Sequence, residues 1–303
     1  MPDSADKVAR QYGLNPKQYR QALRKERFTW HKPNTIWKPP DGSPEHQDMI
    51  RVAKRMASNH YSNRDKELGY KRILLKISGE ALMGPLKFGI HSPTVARVAG
   101  EIKRVHDLGT EICMVIGGGN IFRGLEVAEQ GIPRTTADHM GMLATVMNAL
   151  AMQTHLEKLD IQTRVLSAIR LDEMCEPYIL RRSLRHLEKQ RVCIFAAGTG
   201  NPFFTTDTAA TLRASELYCD AVFKGTKVNG VYDKDPVRNL DAERYGIISY
   251  EDVIQKDLRV MDTSAIAMAR DNNLPIIVFS LEEPGGFEGI IKGLGTYSVI
   301  KNN

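Results

Sequence analysis

The stretch 72-RILLKISGEA-81 decides the fold, because a short apolar run ends there in a turn that contains glycine. Runs of this kind are typical of strands that are buried on both faces of a sheet. Similar runs recur along the chain at 111–116, 162–169, 191–197, 220–225 and 274–280. Segments with helical spacing lie between most of them, at 93–107, 136–158, 178–189 and 206–217. The alternation predicts an α/β fold, a three-layer α-β-α sandwich whose central sheet is mainly parallel.

Three glycine-containing turns follow three of these runs: KISGEA at 76–81, IGGGNIFRG at 116–124 and AGTGNPFFTTD at 197–207. In a parallel sheet, ligands bind at the carboxyl ends of the strands, which is where these turns fall. Glycine lets backbone N–H groups approach an oxyanion closely, so such turns are natural phosphate sites. GGGNIF fails the dinucleotide-binding G-x-G-x-x-G pattern at its last glycine, and the chain has no P-loop pattern. If the protein binds a nucleotide, it therefore does so by another scheme.

Two lysines, Lys76 and Lys224, stand near the ends of two predicted strands. Fixed ammonium groups on either side of a phosphoryl group in flight are what a kinase without a covalent intermediate requires. Taken singly, each lysine is better explained as an ordinary strand-end charge. Asp207 has a comparable structural explanation, because an acid in the first turn of a helix complements the helix dipole.

The helical segment near 136–158 is preceded by Thr135, and Thr135-x-x-Asp138 approximates a capping box. On local grounds this cap is the favoured interpretation of Asp138. The methionines of the same segment are interpreted as packing residues rather than a recognition surface; they are Met140, Met142, Met147 and Met152.

The composition of the 303 residues, with 42% hydrophobic and 26% charged side chains, is ordinary for a globular protein. No apolar run approaches the roughly 18 to 20 residues that a membrane span needs, and the N-terminus has no secretory signal pattern. We therefore expect a cytoplasmic protein without a membrane partner. The cysteines lack C-x-x-C spacing and are expected to be buried thiols, with no disulfide and no zinc site; they are Cys113, Cys175, Cys193 and Cys219.

Seven strings, taken in order, resemble one family closely, the bacterial uridylate kinases, which have the amino acid kinase fold. They are YKRILLKISGEAL, FGI, VIGGGNIFRG, DHMGMLATVMNALAM, AGTGNPFFTTDTAA, KVNGVYDKDP and VMDTSAIAMARDNNLPIIVF, and they run across essentially all of residues 70–303. The strings DHMGMLATVMN and GTGNPFFTTD mark uridylate kinases apart from the amino acid and carbamate kinases of the same fold. An amino acid kinase or carbamate kinase of the same fold remains the alternative function.

The resemblance implies transfer of the γ-phosphoryl group of ATP to UMP in pyrimidine nucleotide biosynthesis. Lys76 and Lys224 would face each other across the transferring group as catalytic residues, and Asp207 would organise them and the magnesium shell. Mg²⁺ would be carried with ATP, and no direct protein ligand is predicted for it. The implied ATP-binding residues are Lys76, Ser78, Gly79, Gly119, Arg123, Thr226, Tyr232 and Asp235. The implied UMP-binding residues are Gly118, Asp138, Thr199, Gly200, Asn201, Pro202, Phe203, Phe204, Thr205 and Thr206.

The resemblance also implies a homohexamer that is activated by GTP and inhibited by UTP. A segment linked to GTP regulation falls at Gly84, Pro85, Leu86, Lys87, Phe88 and Gly89. Here the sequence departs from the commoner acidic, glycine-rich version, and Asn229 stands where the family more often has Asp.

Residues 1–69 lie outside the resemblance and are predicted to form a separate, mostly helical module in front of the kinase domain at 70–303. The whole net charge of +6 lies in this module, which also holds Trp30 and Trp37. One hypothesis is a nucleic-acid-binding module in which Lys and Arg contact phosphates and the tryptophans stack on bases; the basic residues are Lys17, Arg20, Arg24, Lys25 and Arg27. The other, which we favour, is a basic appendage that docks on the kinase or on a neighbouring subunit.

Overall fold

A computed structural model describes residues 69–122, 131–239 and 241–302, together with Leu23, Gln47 and Ile50. The chain divides between Glu67 and Leu68, and the fold below belongs to the second unit, Leu68–Asn303. The module predicted for residues 1–69, with its basic side chains and tryptophans, lies almost wholly outside the described residues.

Eleven strands are present in the described residues: β1 Arg72–Ile77, β2 Glu111–Ile116, β3 Thr163–Ser167, β4 Glu176–Pro177, β5 Val192–Ala196, β6 Ala221–Thr226, β7 Val231–Tyr232, β8 Arg244–Tyr245, β9 Ile247–Ser249, β10 Ile276–Ser280 and β11 Tyr297–Lys301. The α-helices that the structure describes in the second unit are α1 Ser92–His106, α2 Arg134–Glu157, α3 Leu180–Glu188, α4 Thr206–Glu216, α5 Tyr250–Gln255, α6 Thr263–Asp271 and α7 Gly286–Ile291. A 3₁₀ turn covers Gly79–Leu82.

Nine of the strands form one sheet in the order β4-β3-β5-β2-β1-β6-β10-β11-β9. Every neighbouring pair is parallel except β10 and β11. Strands β7 and β8 form a small antiparallel pair apart from it. The predicted, mainly parallel sheet is confirmed. The antiparallel pair of β10 and β11 was not predicted, and neither was β11 itself. The strands β4, β7, β8 and β9 were not predicted because their two or three residues carry little periodic signal.

Two hydrophobic clusters cover the two faces of the sheet. Alternate residues of β1 divide between them, since Ile73 and Leu75 pack with α1, α2 and α7. Leu74 faces the opposite way and packs with α3, α4, α5 and α6. This alternation follows from the two-residue period of a strand, and it explains why all six residues of β1 are buried. The three-layer sandwich is confirmed.

The central strand β1 pairs with β2 on one side and β6 on the other. The register places Lys76 opposite Lys224 on β6. The carboxyl ends of β1, β2, β5 and β6 therefore meet at one edge, where the three glycine turns also begin.

The four cysteines are free and buried, as expected.

The methionines of α2 divide into two groups. Met142 and Met152 are buried in the core, whereas Met140 and Met147 have exposed fractions of 39% and 53%. The packing interpretation is wrong for the second pair, because those side chains lie on the outer face of α2.

Candidate active site

One carboxylate bridges two lysines at the carboxyl ends of β1 and β6. Lys76 Nζ lies 2.5 Å from Asp207 Oδ1, and Lys224 Nζ lies 3.0 Å from Asp207 Oδ2. The lysines come from neighbouring strands in register, and the acid comes from the first turn of α4. The group has two positive charges and one negative charge. It therefore holds an excess positive charge that a phosphate could neutralise.

Burial and the neighbouring charges shift the pKa values of Asp207 and Lys224. Burial raises the pKa of Asp207, but the charges of Lys76 and Lys224 outweigh burial, and the pKa lies below its usual value. Burial, followed by repulsion from Lys76, lowers the pKa of Lys224 to about 8, although Asp207 acts in the other direction. Lys224 thus titrates closer to neutral pH than an ordinary lysine.

The start of α4 is fixed by two linked caps. Thr205 is the N-cap residue, and its Oγ1 accepts a hydrogen bond from the Asp207 N–H at 3.0 Å. The same hydroxyl donates to the carboxylate of Asp262, which in turn accepts from the Ala265 N–H at 2.8 Å and caps α6. Thr208 Oγ1 also donates to Asp262 at 3.0 Å. Asp262 was not among the predicted site residues, and only its Asp-Thr-Ser context hinted at a cap.

The first two glycine turns pack backbone against backbone. A Cβ atom at Gly79 would lie 2.6 Å from the Gly117 carbonyl oxygen and 3.0 Å from the Gly119 nitrogen. A Cβ at Gly118 would lie 2.8 Å from the Gly141 carbonyl oxygen on α2. At Gly119, by contrast, a Cβ would meet no described atom within 4 Å. The protein itself therefore requires glycine at Gly79 and Gly118, whereas no described atom requires it at Gly119.

The third turn has an unusual backbone. Gly198 and Gly200 have φ values of 58° and 79°, and Ala197 and Phe203 have φ values of 62° and 71°. Left-handed conformations cost a residue with a side chain on the order of 1 kcal/mol or more, and they persist where the surroundings enforce them. At Phe203 the surroundings include Asp138, whose Oδ2 accepts a hydrogen bond from the Phe203 N–H at 2.8 Å.

Asp138 does not cap α2, so the capping-box interpretation is wrong. The helix begins at Arg134 with Pro133 as its N-cap residue, and Thr135 already lies inside the first turn. Instead, Asp138 accepts hydrogen bonds from Arg134 Nε at 2.8 and 3.0 Å and from the Phe203 N–H. Proline cannot donate the N–H that a box needs, and it allows the helix to begin earlier than the Thr pattern suggests.

A cavity of about 430 Å³ lies between α2 and the glycine turns. Its lining includes these predicted UMP residues: Gly118, Asp138, Thr199, Asn201, Phe204, Thr205 and Thr206. Gly119 also lines it. Gly200, Pro202 and Phe203 belong to the same turn but do not line the cavity. Further lining residues that the motifs did not single out are Glu80, Phe122, Arg134, Ala137, Gly141, Met142, Thr145 and Gly198.

The two phenylalanines of the third turn differ in position. Phe204 lines the cavity, although 53% of it is exposed. Phe203 has an exposed fraction of 66%, and the Arg134 guanidinium lies 5.7 Å from its ring centroid. Phe204 is therefore the one placed to contact a bound molecule.

Two further cavities lie beside the lysine pair. One of about 560 Å³ brings together Thr226, Tyr232 and Asp235, three of the residues that the resemblance implies for ATP. The other, of about 460 Å³, is lined by Asp207 and by residues of α5, α6 and the segment between them. Lys224 lines both cavities, as does the segment 257–260. That segment was not predicted, because it has neither a glycine motif nor a regular period.

The remaining predicted residues lie around these cavities or outside the described chain. Ser78 is the N-cap residue of the 3₁₀ turn directly after β1. The segment 84–89 contacts the second glycine turn, since the Gly89 N–H donates to the Asn120 carbonyl oxygen at 2.7 Å. Phe88 in this segment has an exposed fraction of 75%. Arg123, the remaining ATP residue of the prediction, lies outside the described residues.

In the part of the chain that the structure describes, no helix is both long and apolar enough to cross a membrane.

Comparisons with known proteins agree with this architecture. The model of the amino acid kinase family matches residues 71–280. The uridylate kinase of Roseobacter denitrificans is 68% identical over 238 residues, which cover 78% of this chain and 98% of that protein. The uridylate kinase of Cereibacter sphaeroides is 70% identical over 232 residues, 77% of this chain and 94% of that protein.

A solved structure gives the same result in three dimensions. The crystal structure of UMP kinase from Bacillus anthracis matches with a TM-score of 0.75 and 39% identity, and the match covers 77% of this chain and 97% of that chain. Family model, relatives and fold agree along nearly the whole length of each relative. The chain therefore belongs to the amino acid kinase family and, within it, to the uridylate kinases.

Proposed function

We propose that the chain transfers the γ-phosphoryl group of ATP directly to the phosphate of UMP, giving UDP and ADP in pyrimidine nucleotide biosynthesis. The observation that carries the proposal is the contact of Asp207 with both Lys76 and Lys224, at 2.5 and 3.0 Å, at the carboxyl ends of two neighbouring strands. The relatives, named uridylate kinases, support the choice of substrate.

The reaction needs no general base. The attacking oxygen of the UMP phosphate is already anionic near neutral pH, so positioning and charge stabilisation can supply the catalysis. The two ammonium groups would stabilise the negative charge on the transferring group from two sides. Asp207 would keep both lysines in place and offset their mutual repulsion until the phosphates bind.

The cavity of about 430 Å³ is proposed to bind UMP. Asp138 would accept hydrogen bonds from the ribose hydroxyls, Phe204 would contact the uracil, and the N–H groups near Gly118 would face the phosphate. Because Asp138 also holds the Phe203 N–H, the ribose contact and the shape of the third turn would be set together.

The cavity of about 560 Å³ is proposed to bind the adenosine half of ATP. Tyr232 would offer an aromatic face, and its hydroxyl donates to Asn229 Oδ1 at 2.6 Å, which holds the ring in place. Thr226 and Asp235 line the same cavity. Lys224 lines it as well, so a triphosphate extending from this cavity would reach the lysine pair.

Mg²⁺ is proposed to arrive with ATP. The described ranges contain no group of three or more His, Cys, Asp or Glu side chains that could hold a metal ion. Asp207 fits an outer role, because both of its oxygens already face ammonium groups. When bound, the metal would neutralise charge on the β- and γ-phosphate oxygens.

A coupled assay of ADP release tests the proposal by comparing UMP, CMP, carbamate and amino acid substrates. UMP should give the highest kcat/KM. Preference for an amino acid or for carbamate would favour the alternative kinase of the same fold and overturn the assignment.

We also propose a surface for subunit assembly and a segment for regulation. Met140, Leu143 and Met147 form an exposed apolar stripe on α2, with exposed fractions of 39%, 48% and 53%. Large apolar side chains grouped at a surface mark interaction sites, so the stripe supports a subunit contact in a homohexamer.

Regulation by GTP and UTP would act through the segment 84–89, and titration of both nucleotides into the UMP assay tests it.

For residues 1–69 we propose docking on the kinase domain or on a neighbouring subunit, with nucleic-acid binding as the alternative. A gel-shift titration of the full chain with single- and double-stranded nucleic acid separates the two. Retardation that disappears as salt rises would favour nucleic-acid binding, and no retardation at low salt would exclude it.

A further inference from the structure

Two buried asparagines, Asn120 and Asn148, lie directly behind the second glycine turn. Asn120 follows the three glycines, and Asn148 projects from α2; their exposed fractions are 2% and 0%. Neither residue lines any of the three cavities described above. Buried amides of this kind need hydrogen-bond partners, since an unpaired polar group in the interior destabilises the fold.

The two side chains satisfy each other. Asn120 Nδ2 donates to Asn148 Oδ1 at 2.9 Å, and Asn148 Nδ2 donates to Asn120 Oδ1 at 2.7 Å. The second N–H of Asn120 donates to the Gly89 carbonyl oxygen at 2.9 Å, and the second N–H of Asn148 donates to the Gly117 carbonyl oxygen at 2.7 Å. All four amide hydrogens are thus used.

This network has one orientation. Turning either amide around would bring its oxygen towards two other oxygens, which repels instead of binding. A fully paired buried network of this kind rigidifies the segments that it joins. Here it joins α2, the turn at 117–120 and, through Gly89, the segment 84–89.

The bond to the Gly117 carbonyl sets the direction of the next peptide N–H. In a trans peptide the carbonyl and the following N–H point in opposite directions. With the Gly117 oxygen held at Asn148, the Gly118 N–H points away from the buried side. Gly118 lines the proposed UMP cavity, so this N–H is available to a phosphate there.

We propose that Asn120 and Asn148 are positioning residues for phosphoryl transfer, because together they fix the Gly117–Gly119 backbone in the orientation that receives phosphate. The inference rests on the proposed role of this turn in phosphate binding. It assigns to the pair an effect on the reaction that is separate from its contribution to folding.

Asn120→Ala and Asn148→Ala test the inference by steady-state kinetics, with thermal melting measured alongside. A misplacement of the turn by about 1 Å should lower kcat about 10²-fold. The KM for UMP and ATP should stay within about threefold, since base and ribose contacts are untouched. The double variant should lose about as much kcat as either single variant, because the two side chains act as one unit.

Met152→Ala is the matched control, because Met152 is fully buried on the same helix, one turn beyond Asn148. It should lower the melting temperature and leave kcat at 25 °C unchanged. If an alanine variant fails to fold, Asn120→Ser, which keeps a small polar side chain, should fold and show a smaller loss of kcat. Asparagine variants that melt early but retain the wild-type kcat would overturn the inference.

Gly119→Ala separates this inference from the phosphate assignment on which it rests. A methyl group at this position would meet no atom of the described residues within 4 Å, and Gly119 lines the proposed UMP cavity. A normal Gly119→Ala enzyme would contradict the phosphate role of the turn. An impaired Gly119→Ala enzyme together with normal asparagine variants would contradict the positioning role alone.

Discussion

At the scale of single residues, the lysine pair carries the clearest consequence. Removing one preorganised charge that stabilises a transition state typically costs roughly 10²- to 10³-fold in kcat. Lys76→Ala and Lys224→Ala should each lose that much turnover and retain the fold, as judged by circular dichroism. Lys103→Ala is the control, because Lys103 lies half-exposed on α1 and its only ion pair among the described residues is with Asp107. Near-wild-type turnover in either site variant would refute its catalytic role.

The pKa of Lys224 predicts a pH dependence. Burial and repulsion from Lys76 lower this pKa to about 8. The charged ammonium therefore predominates below that pH and disappears above it, so kcat/KM for ATP should fall as pH rises through about 8. The fall of kcat/KM on the alkaline side reports the pKa of a group in the free enzyme. A profile that stays level through about pH 9 would contradict the role of Lys224.

Asp207 raises the pKa of Lys224, so Asp207→Asn should move the same limb to lower pH. The shift can be measured on the residual activity of the variant. An unmoved limb would show that the titrating group is not Lys224.

At the scale of elements, the contact between α2 and the third turn determines the acceptor site. Asp138→Ala removes the acceptor of the Phe203 N–H and of Arg134. Hydrogen bonds to charged groups contribute about 1.5–3 kcal/mol, so KM for UMP should rise roughly 10- to 100-fold while KM for ATP stays nearly constant. Glu157→Ala, an exposed change at the other end of α2, should alter neither constant. An equal rise in both KM values would argue against a specific UMP contact.

At the scale of the whole molecule, the apolar stripe of α2 predicts self-association. Leu143→Asp places a charge in the centre of the stripe and should release smaller species in analytical ultracentrifugation, because desolvating an unpaired carboxylate is costly. Lys103→Asp, which changes the charge by two units on the surface of α1, should leave the assembly intact. A monomeric wild-type protein, or a Leu143→Asp variant with unchanged mass, would contradict the stripe as a subunit contact.

Much of the fold followed from local patterns. The buried strand runs were long and apolar enough to identify the central strands, and the four predicted helices differ from α1 to α4 by no more than two residues at either end. The edge strands escaped prediction because β9 and β4 have only three and two residues. Asp138 shows the limit of local reasoning, since its capping pattern was real in the sequence and unused in the structure.

The sequence alone determined the sheet and the meeting of its glycine turns, because parallel strands joined by helices bring their carboxyl ends to one edge. It also determined that Lys76 and Lys224 would lie there, one at the end of each strand. Only the tertiary structure decided the partners across long separations: Asp138 with the turn of Phe203, 65 residues away, and Asn120 with Asn148, 28 residues away. It likewise decided the pKa of Lys224, because burial and the charges of Lys76 and Asp207 act together only once three elements have packed.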